Sequence, residues 1–220
     1  MEFGVFKGGS ANFFSKYVNK LYVFDNFQGY KEDRANTHDV LDSRENFNLN
    51  NKIPKLNPNV EPIIGWVEDT LVNFLETHKP KINFVHLDIN VYSSSKFVLE
   101  KIKPYLIILA GFLLKIPNSI INNFEKKIVN IHPSLLPKYG GKGMYGINVH
   151  KKVIANKEKE SGISIHYVNG NYDEGEIIFQ KSIKINYPSD SEKLSKKIHK
   201  LEMEYFPKTI EKLIKHMHNE

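Results

Sequence analysis

Residues 130–139 read Asn130-Ile131-His132-Pro133-Ser134-Leu135-Leu136-Pro137-Lys138-Tyr139 and follow an apolar, β-branched run at residues 127–129. That run predicts a buried strand ending near His132, because Pro133 has no N–H for the hydrogen-bond ladder. Residues i and i+2 of a strand share a face, so we expect Asn130 and His132 to project into one pocket.

Asp173, in the turn Tyr172-Asp173-Glu174-Gly175, is expected to add a carboxylate to this pair. Asn130 can donate an amide N–H to a developing oxyanion, and His132 can donate a hydrogen bond or move a proton near neutral pH. Asp173 can orient the imidazole or relay its proton. Together the three groups suit acyl transfer. The alternative is that Asn130 and His132 cap a strand end and that Asp173 forms an ordinary turn.

Four blocks of the second half resemble phosphoribosylglycinamide formyltransferase, the folate-dependent enzyme of purine synthesis. The blocks are residues 109–113, 130–139, 162–168 and 172–175. The resemblance extends from about residue 106 to the C-terminus. It implies that Asn130, His132 and Asp173 are catalytic. It implies that the formyl donor, 10-formyltetrahydrofolate, is bound by the side chains of Leu113, Leu114 and Ile116. The backbone of Asn169, Gly170, Asn171 and Tyr172 would line the same pocket, and His166 would lie beside it. It also implies that Glu202 contacts the glycinamide substrate and that the glycines of 140–146 permit a mobile lid.

The first half resembles a class I S-adenosylmethionine-dependent methyltransferase of the type that methylates sugar hydroxyls. The matching blocks are residues 2–11, 22–29, 65–71 and 84–92. The resemblance implies a glycine turn under the cofactor, a ribose-binding carboxylate after the second strand, where Asp25 stands, and Asp88 as a metal ligand. Such an enzyme continues into a strand that ends in two adjacent aspartates, and residues 106–112 contain none. We therefore expect no metal site, and we interpret the chain as a fusion of an incomplete methyltransferase-like half, 1–105, with a formyltransferase catalytic half, 106–220.

The predicted fold is α/β, a Rossmann-like, mostly parallel sheet flanked by helices that continues across the seam near 104–106. The pattern predicts strands near 2–7, 21–25, 61–66, 82–89, 105–111, 127–132, 162–168 and 175–185, and helices near 11–19, 69–78, 93–103, 117–124 and 146–156. A final helix begins with a capping box, Ser189-x-x-Glu192, and Pro207 should kink or interrupt it. Residues 30–58 are expected to form a long irregular excursion.

The first strand-to-helix turn holds Gly9, Ser10 and Asn12, which we expect to bind the substrate phosphate at a helix N-terminus. The alternative is that the turn only caps the following helix, because Ser and Asn are common caps.

Charge and composition favour a cytoplasmic enzyme that acts on small molecules. The net charge is +6, but only Arg34 and Arg44 are arginines, which argues against a nucleic-acid partner. The positive charge can instead steer anionic ligands. The chain has no cysteine, no signal-peptide pattern at its start and no apolar run long enough to span a membrane. The oligomeric state is not indicated.

The sequence supports three alternative hypotheses about function. The first is transfer of a formyl group from 10-formyltetrahydrofolate to the amine of phosphoribosylglycinamide. The second is a remnant of a sugar O-methyltransferase that uses S-adenosylmethionine. The third is a folate- or nucleotide-binding protein without turnover.

Overall fold

The computed structural model describes residues 1–30, 47–112 and 114–217, and we restrict the description to them. The predicted folate contact Leu113 and most of the predicted irregular excursion lie outside these residues. The chain divides into two compact units, Met1–Lys103 and Pro104–Glu220.

The first unit is a four-stranded parallel sheet of order β3-β2-β1-β4 with helices between the strands. Its elements are β1 (Glu2–Phe3), α1 (Gly9–Phe14) with a 3-10 turn (Ser15–Tyr17), β2 (Leu21–Asp25), β3 (Val60–Ile64), α2 (Val67–His78), β4 (His86–Leu87) and α3 (Tyr92–Ile102). Helix α2 buries Val67, Leu71 and Phe74, which recur at helical spacing and pack with Phe3 and Val98.

The second unit has a four-stranded sheet of order β5-β6-β7-β8. Its elements are β5 (Ile107–Leu109), α4 (Asn118–Asn123), β6 (Ile128–His132), α5 (Ile147–Ala155), β7 (Glu160–Tyr167), β8 (Ile177–Lys184) and α6 (Ser191–Met217). Strands β5 and β6 are parallel, whereas β7 pairs antiparallel with both β6 and β8.

The two faces of β6 and β7 have different characters. Ile131 pairs with Ile165, and residues of this face pack into clusters with α5 and α6, including Val149 and Ile198. On the other face Asn130 pairs with His166, and His132 pairs with Ser164. The strand alternation therefore gathers four polar side chains on one face of the sheet.

The structure confirms the α/β class with mostly parallel strand pairing, but several expectations are wrong. Hydrogen bonding between the described strands forms two sheets and not one continuous sheet. The first strand is short, because Gly4 and Phe6 adopt left-handed backbone angles.

The start of the last helix also differs from the predicted capping box. Asp190, not Ser189, caps α6, since its carboxylate accepts the N–H of Lys193 at 2.7 Å. Pro207 does not interrupt the helix, which runs without a break from Ser191 to Met217.

Candidate active site

The turn after β6 is held to β7 and β8 by a buried hydrogen-bond network. The hydroxyl of Ser164 donates to the carbonyl of Ser134 at 2.6 Å and accepts the N–H of Leu136 at 2.9 Å. Gln180 donates to the Ser164 hydroxyl at 2.8 Å and to the Leu136 carbonyl at 2.9 Å. These bonds fix the path of the chain directly after His132.

His132 is 4% exposed, and both of its ring nitrogens face oxygen atoms. Nε2 lies 2.7 Å from the carbonyl oxygen of Tyr139. A carbonyl can only accept, so Nε2 carries the proton. Nδ1 lies 3.5 Å from Oδ2 of Asp173. Both ring nitrogens of His132 therefore lie beside an oxygen that can accept a hydrogen bond.

His166 sets the orientation of the Asn130 amide. Its Nδ1 lies 2.8 Å from the Tyr167 carbonyl, so Nδ1 is the donor. Burial lowers the pKa of His166, which favours the neutral ring with a lone pair on Nε2. That lone pair faces Nδ2 of Asn130 at 3.4 Å. The amide nitrogen has a second N–H, which can stabilise an oxyanion.

Asp173 adopts a left-handed conformation, with φ 58°, that Asp tolerates better than most residues. Its Oδ2 accepts the N–H of Gly141 at 2.9 Å, and its Oδ1 lies 3.7 Å from Nε2 of His166. The side chain is 12% exposed. The structure thus brings the predicted groups Asn130, His132 and Asp173 together, with His166 among them.

Two glycines allow these close approaches. A Cβ on Gly175 would lie 1.7 Å from the Tyr167 carbonyl oxygen, inside the backbone of the site. A Cβ on Gly140 would lie 3.1 Å from Cβ of Asp173 and 2.7 Å from Cδ2 of Leu136. Neither approach leaves room for a side chain.

Among the residues implied for folate binding, those that the structure describes belong to the same unit. Leu114 is 58% exposed, and Ile116 is half-buried. Asn169 and Asn171 form a turn, in which the side chain of Asn169 accepts the N–H of Asn171 at 2.9 Å. This turn lies directly before Asp173 in the chain. That these residues contact folate stays a prediction.

The residues implied for substrate binding lie on α6 and in the first unit. Glu202 lies on α6 and faces His199 at 3.2 Å, one helical turn earlier. In the first unit, Ser10 donates to the buried carboxylate of Glu2. Asn12 donates to the Lys55 carbonyl at 2.9 Å and accepts the N–H of Asn57 at 2.8 Å.

Gly8 is the N-cap residue of α1 and no side chain caps this helix, so Ser10 and Asn12 do not act as caps. A phosphate contact by Gly9, Ser10 and Asn12 stays a prediction. The side chains of Ser10 and Asn12 already make bonds within the protein.

Sequence reasoning missed three contributors to the site. The Tyr139 carbonyl and the Gly141 N–H act through the backbone, which residue types do not reveal.

His150, on α5, is 3% exposed, and its Nδ1 has no partner among the described residues. Burial lowers the pKa of His150, and the nearby charge of His132 lowers it further. The adjacent glycines at 140–141 were the one available signal of a close backbone approach.

The first unit has its own cleft, of about 400 Å³, at the carboxyl ends of its parallel strands. The lining includes Gly9, Ser10, Asp25, Trp66, Glu68 and Asp88. The Asp25 carboxylate accepts three backbone N–H bonds, from Val5 at 2.7 Å, Phe6 at 2.9 Å and Phe27 at 2.8 Å. Asp25 therefore holds the glycine turn in place, and little of its acceptor capacity remains for a ribose.

Within the described residues, no group of three or more His, Cys, Asp or Glu could hold a metal ion. No helix in the described ranges is both long and apolar enough to cross a membrane.

Comparison with known proteins identifies the family. The model of the formyl transferase family matches residues 91–210, which is more than half of the chain. The chain belongs to the formyl transferase family. A methyltransferase domain model matches residues 1–109, so this formyl transferase carries a methyltransferase-like first half. Both models match residues 91–109, the segment of α3 and β5.

Similar proteins agree with this assignment. A chloroplastic phosphoribosylglycinamide formyltransferase of Arabidopsis thaliana is 42% identical over 54% of this chain and 42% of its own length, so the chain spans less than half of that curated relative. The phosphoribosylglycinamide formyltransferase structure from Anaplasma phagocytophilum has a TM-score of 0.50 and 25% identity, over 63% of this chain and 64% of that one.

The structure of the Bacillus halodurans enzyme of the same name shares the fold, with a TM-score of 0.52 and 20% identity, over 97% of this chain and 93% of that one.

Proposed function

We propose that this formyl transferase moves a formyl group from 10-formyltetrahydrofolate to the primary amine of phosphoribosylglycinamide. The names of its relatives support phosphoribosylglycinamide as the acceptor, and membership of the formyl transferase family supports a folate-derived formyl donor. The observation that carries the proposal is the convergence of Asn130, His132 and Asp173 beside the fixed turn after β6.

The chemistry follows from these groups. The amine lone pair attacks the formyl carbon, and the carbonyl π-electrons move onto oxygen. The second N–H of Asn130 donates to that oxyanion, and the positive charge of a protonated His132 beside it stabilises it. Asp173 accepts the proton that the amine loses, through water. When the oxyanion collapses, the bond between the formyl carbon and the folate nitrogen breaks, and that nitrogen takes up the proton held by Asp173, through water. The products are the formylated amine and tetrahydrofolate.

Binding of the two substrates is assigned to the residues named above. The folate is proposed to contact Leu113, Leu114, Ile116 and the 169–172 turn. Glu202 is proposed to contact the glycinamide substrate. A phosphate-binding role for Gly9, Ser10 and Asn12 is a separate proposal about the first unit. A cytoplasmic location and the lack of nucleic-acid or membrane partners also stay predictions.

A spectrophotometric assay tests the proposal by following tetrahydrofolate release from the purified chain with both substrates. We expect release that depends on the amine and that falls by orders of magnitude in His132→Ala, with folate affinity nearly unchanged. Equal release in both proteins would overturn the catalytic assignment. Folate binding without any release would indicate a binding protein.

A second function is favoured by the cleft of the first unit, which lies where open parallel sheets bind nucleotides. We propose that it binds S-adenosylmethionine. Gly9 lines the cleft, and a Cβ on it would meet no atom within 4 Å. Gly9→Val should therefore keep the melting temperature and abolish binding in titration calorimetry. Unchanged binding, or no binding by the wild type, would exclude this site.

A further inference from the structure

Tyr139 connects the reacting histidine to a part of the fold outside the catalytic face. Its carbonyl oxygen is the acceptor for Nε2 of His132, at 2.7 Å. Its own backbone is left-handed, with φ 59°, which is uncommon for an aromatic residue. Something must hold the chain in this conformation, because the conformation itself is unfavourable.

The side chain of Tyr139 supplies that hold. Its hydroxyl donates to Oε1 of Glu158 at 2.9 Å and accepts from Nδ2 of Asn156 at 2.8 Å. Lys138 also reaches Oε1 of Glu158, at 3.2 Å. Two consecutive residues of the turn therefore bind one carboxylate, which we call the Glu158 clasp (Lys138, Tyr139, Asn156 and Glu158).

The clasp is built on the connection between α5 and β7. The Glu158 N–H donates to the Val153 carbonyl at 3.2 Å, and the Glu158 carbonyl accepts from the Tyr187 hydroxyl at 3.1 Å. Burial raises the pKa of Tyr139, so its hydroxyl keeps the proton that it donates. The Tyr139 hydrogen bond, followed by that of Lys138, lowers the pKa of Glu158 and keeps it an acceptor.

We propose that the Tyr139 hydroxyl is a positioning group: by binding Glu158 and Asn156, it holds the Tyr139 carbonyl against His132 and fixes the proton on Nε2. With that proton fixed, Nδ1 of a neutral ring directs a lone pair at Asp173. Nδ1 is then the nitrogen through which His132 can exchange a proton with Asp173. The clasp thereby sets which ring nitrogen takes part in proton transfer. This inference rests on the proposed formyl transfer and adds Tyr139 and Glu158 to it.

The test uses the full chain with Tyr139→Phe, which removes only the hydroxyl. Tyr187→Phe is the matched control, because it removes another hydroxyl bound to Glu158 but leaves the link to His132 intact. We expect kcat to fall about tenfold in Tyr139→Phe, with KM for both substrates unchanged, and to stay unchanged in Tyr187→Phe. Glu158→Gln keeps an acceptor for the hydroxyl and should retain most of the activity.

Nitrogen-15 NMR of the histidine side chains gives a readout that does not need activity. The His132 signal, assigned by its loss in His132→Ala, should show a proton held on Nε2 in the wild type. In Tyr139→Phe it should show exchange between both nitrogens. An unchanged His132 signal together with unchanged kcat would overturn the inference. A wild type without formyl transfer would instead refute the proposed function, and the NMR comparison would still decide whether the clasp positions His132.

Discussion

The N–H of Gly141 donates a 2.9 Å hydrogen bond to Oδ2 of Asp173, the same oxygen that faces Nδ1 of His132 at 3.5 Å. The glycine-rich segment after the turn is therefore tied to the Asp173 carboxylate. A few residues further on, Met144 is buried in the core with Val149. This segment is anchored at two points.

Replacing Asp173 by Asn separates its charge from its role as an acceptor. Asn keeps a carbonyl oxygen for the Gly141 N–H but removes the negative charge beside His132. We expect Asp173→Asn to fold normally and to lose about 100-fold or more in kcat. Asp173→Ala should show the same loss and, in addition, faster amide exchange at Gly141. Normal turnover in the Asn variant would rule out a catalytic charge.

The close approach at Gly175 predicts a large loss of stability. An added methyl group would overlap the Tyr167 carbonyl, so Gly175→Ala must displace the strand that carries His166. We expect a cost of about 1–3 kcal/mol, seen as faster hydrogen exchange along β7. Gly170→Ala is the control, because its Cβ would meet only the side-chain oxygen of Asn118, at 3.4 Å. Equal exchange in both variants would contradict the packing.

Acid should destabilise the second unit through its buried histidines. Burial lowers the pKa of His150 and His166 from the ordinary value of 6.5. Below about that value the unfolded chain binds more protons than the folded chain, so the free energy of unfolding falls as the pH falls. Each histidine can contribute up to about 1.4 kcal/mol per pH unit.

Calorimetry at about pH 7.5 and about pH 5.5 measures this loss. His150→Gln should make it smaller, whereas His199→Gln should not, because the His199 side chain is 70% exposed. An equal acid effect in the wild type and His150→Gln would show that His150 is not the cause.

Asp25 offers a test of the first unit. Asp25→Ala leaves three backbone N–H groups without their acceptor, and we expect it to lower the stability of this unit by about 3 kcal/mol. Urea unfolding can be followed by Trp66, the only tryptophan of the chain. Asp69→Ala, which removes the same charge from an exposed position on α2, should have a much smaller effect. If both variants unfold at the same urea concentration, Asp25 does not hold the turn.

Sequence patterns predicted the shared polar face of β6 and β7 well, for a physical reason. Strand alternation alone places Asn130 and His132 on one side of β6, and a proline ends that strand at a definite position. The partner strand also followed from its apolar pattern, and the register then set His166 opposite Asn130. Local patterns were sufficient because each of these relations is local or spans two adjacent strands.

Features set by backbone geometry and long-range bonding were not predictable. The Asp25 carboxylate is hydrogen-bonded by N–H groups of the glycine turn, 19 and 20 residues earlier in the chain. The side chain of Asn12 is hydrogen-bonded to Asn57, and that of Tyr139 to Glu158. None of these pairings leaves a periodic signal. The cap of α6 was misplaced by one residue, because Ser189 and Asp190 are both good caps and only the fold chooses between them.

Formyl transfer to an amine is tested most directly by following the carbon itself. Release of tetrahydrofolate does not distinguish transfer to the amine from attack by water, which yields formate. We would supply 10-formyltetrahydrofolate with a carbon-13 formyl group, together with phosphoribosylglycinamide, and locate the label by NMR. The label should appear in the formylated amine with the wild type and not with His132→Ala. Label found in formate, or left in the folate by a folded wild-type protein, would contradict the proposed function.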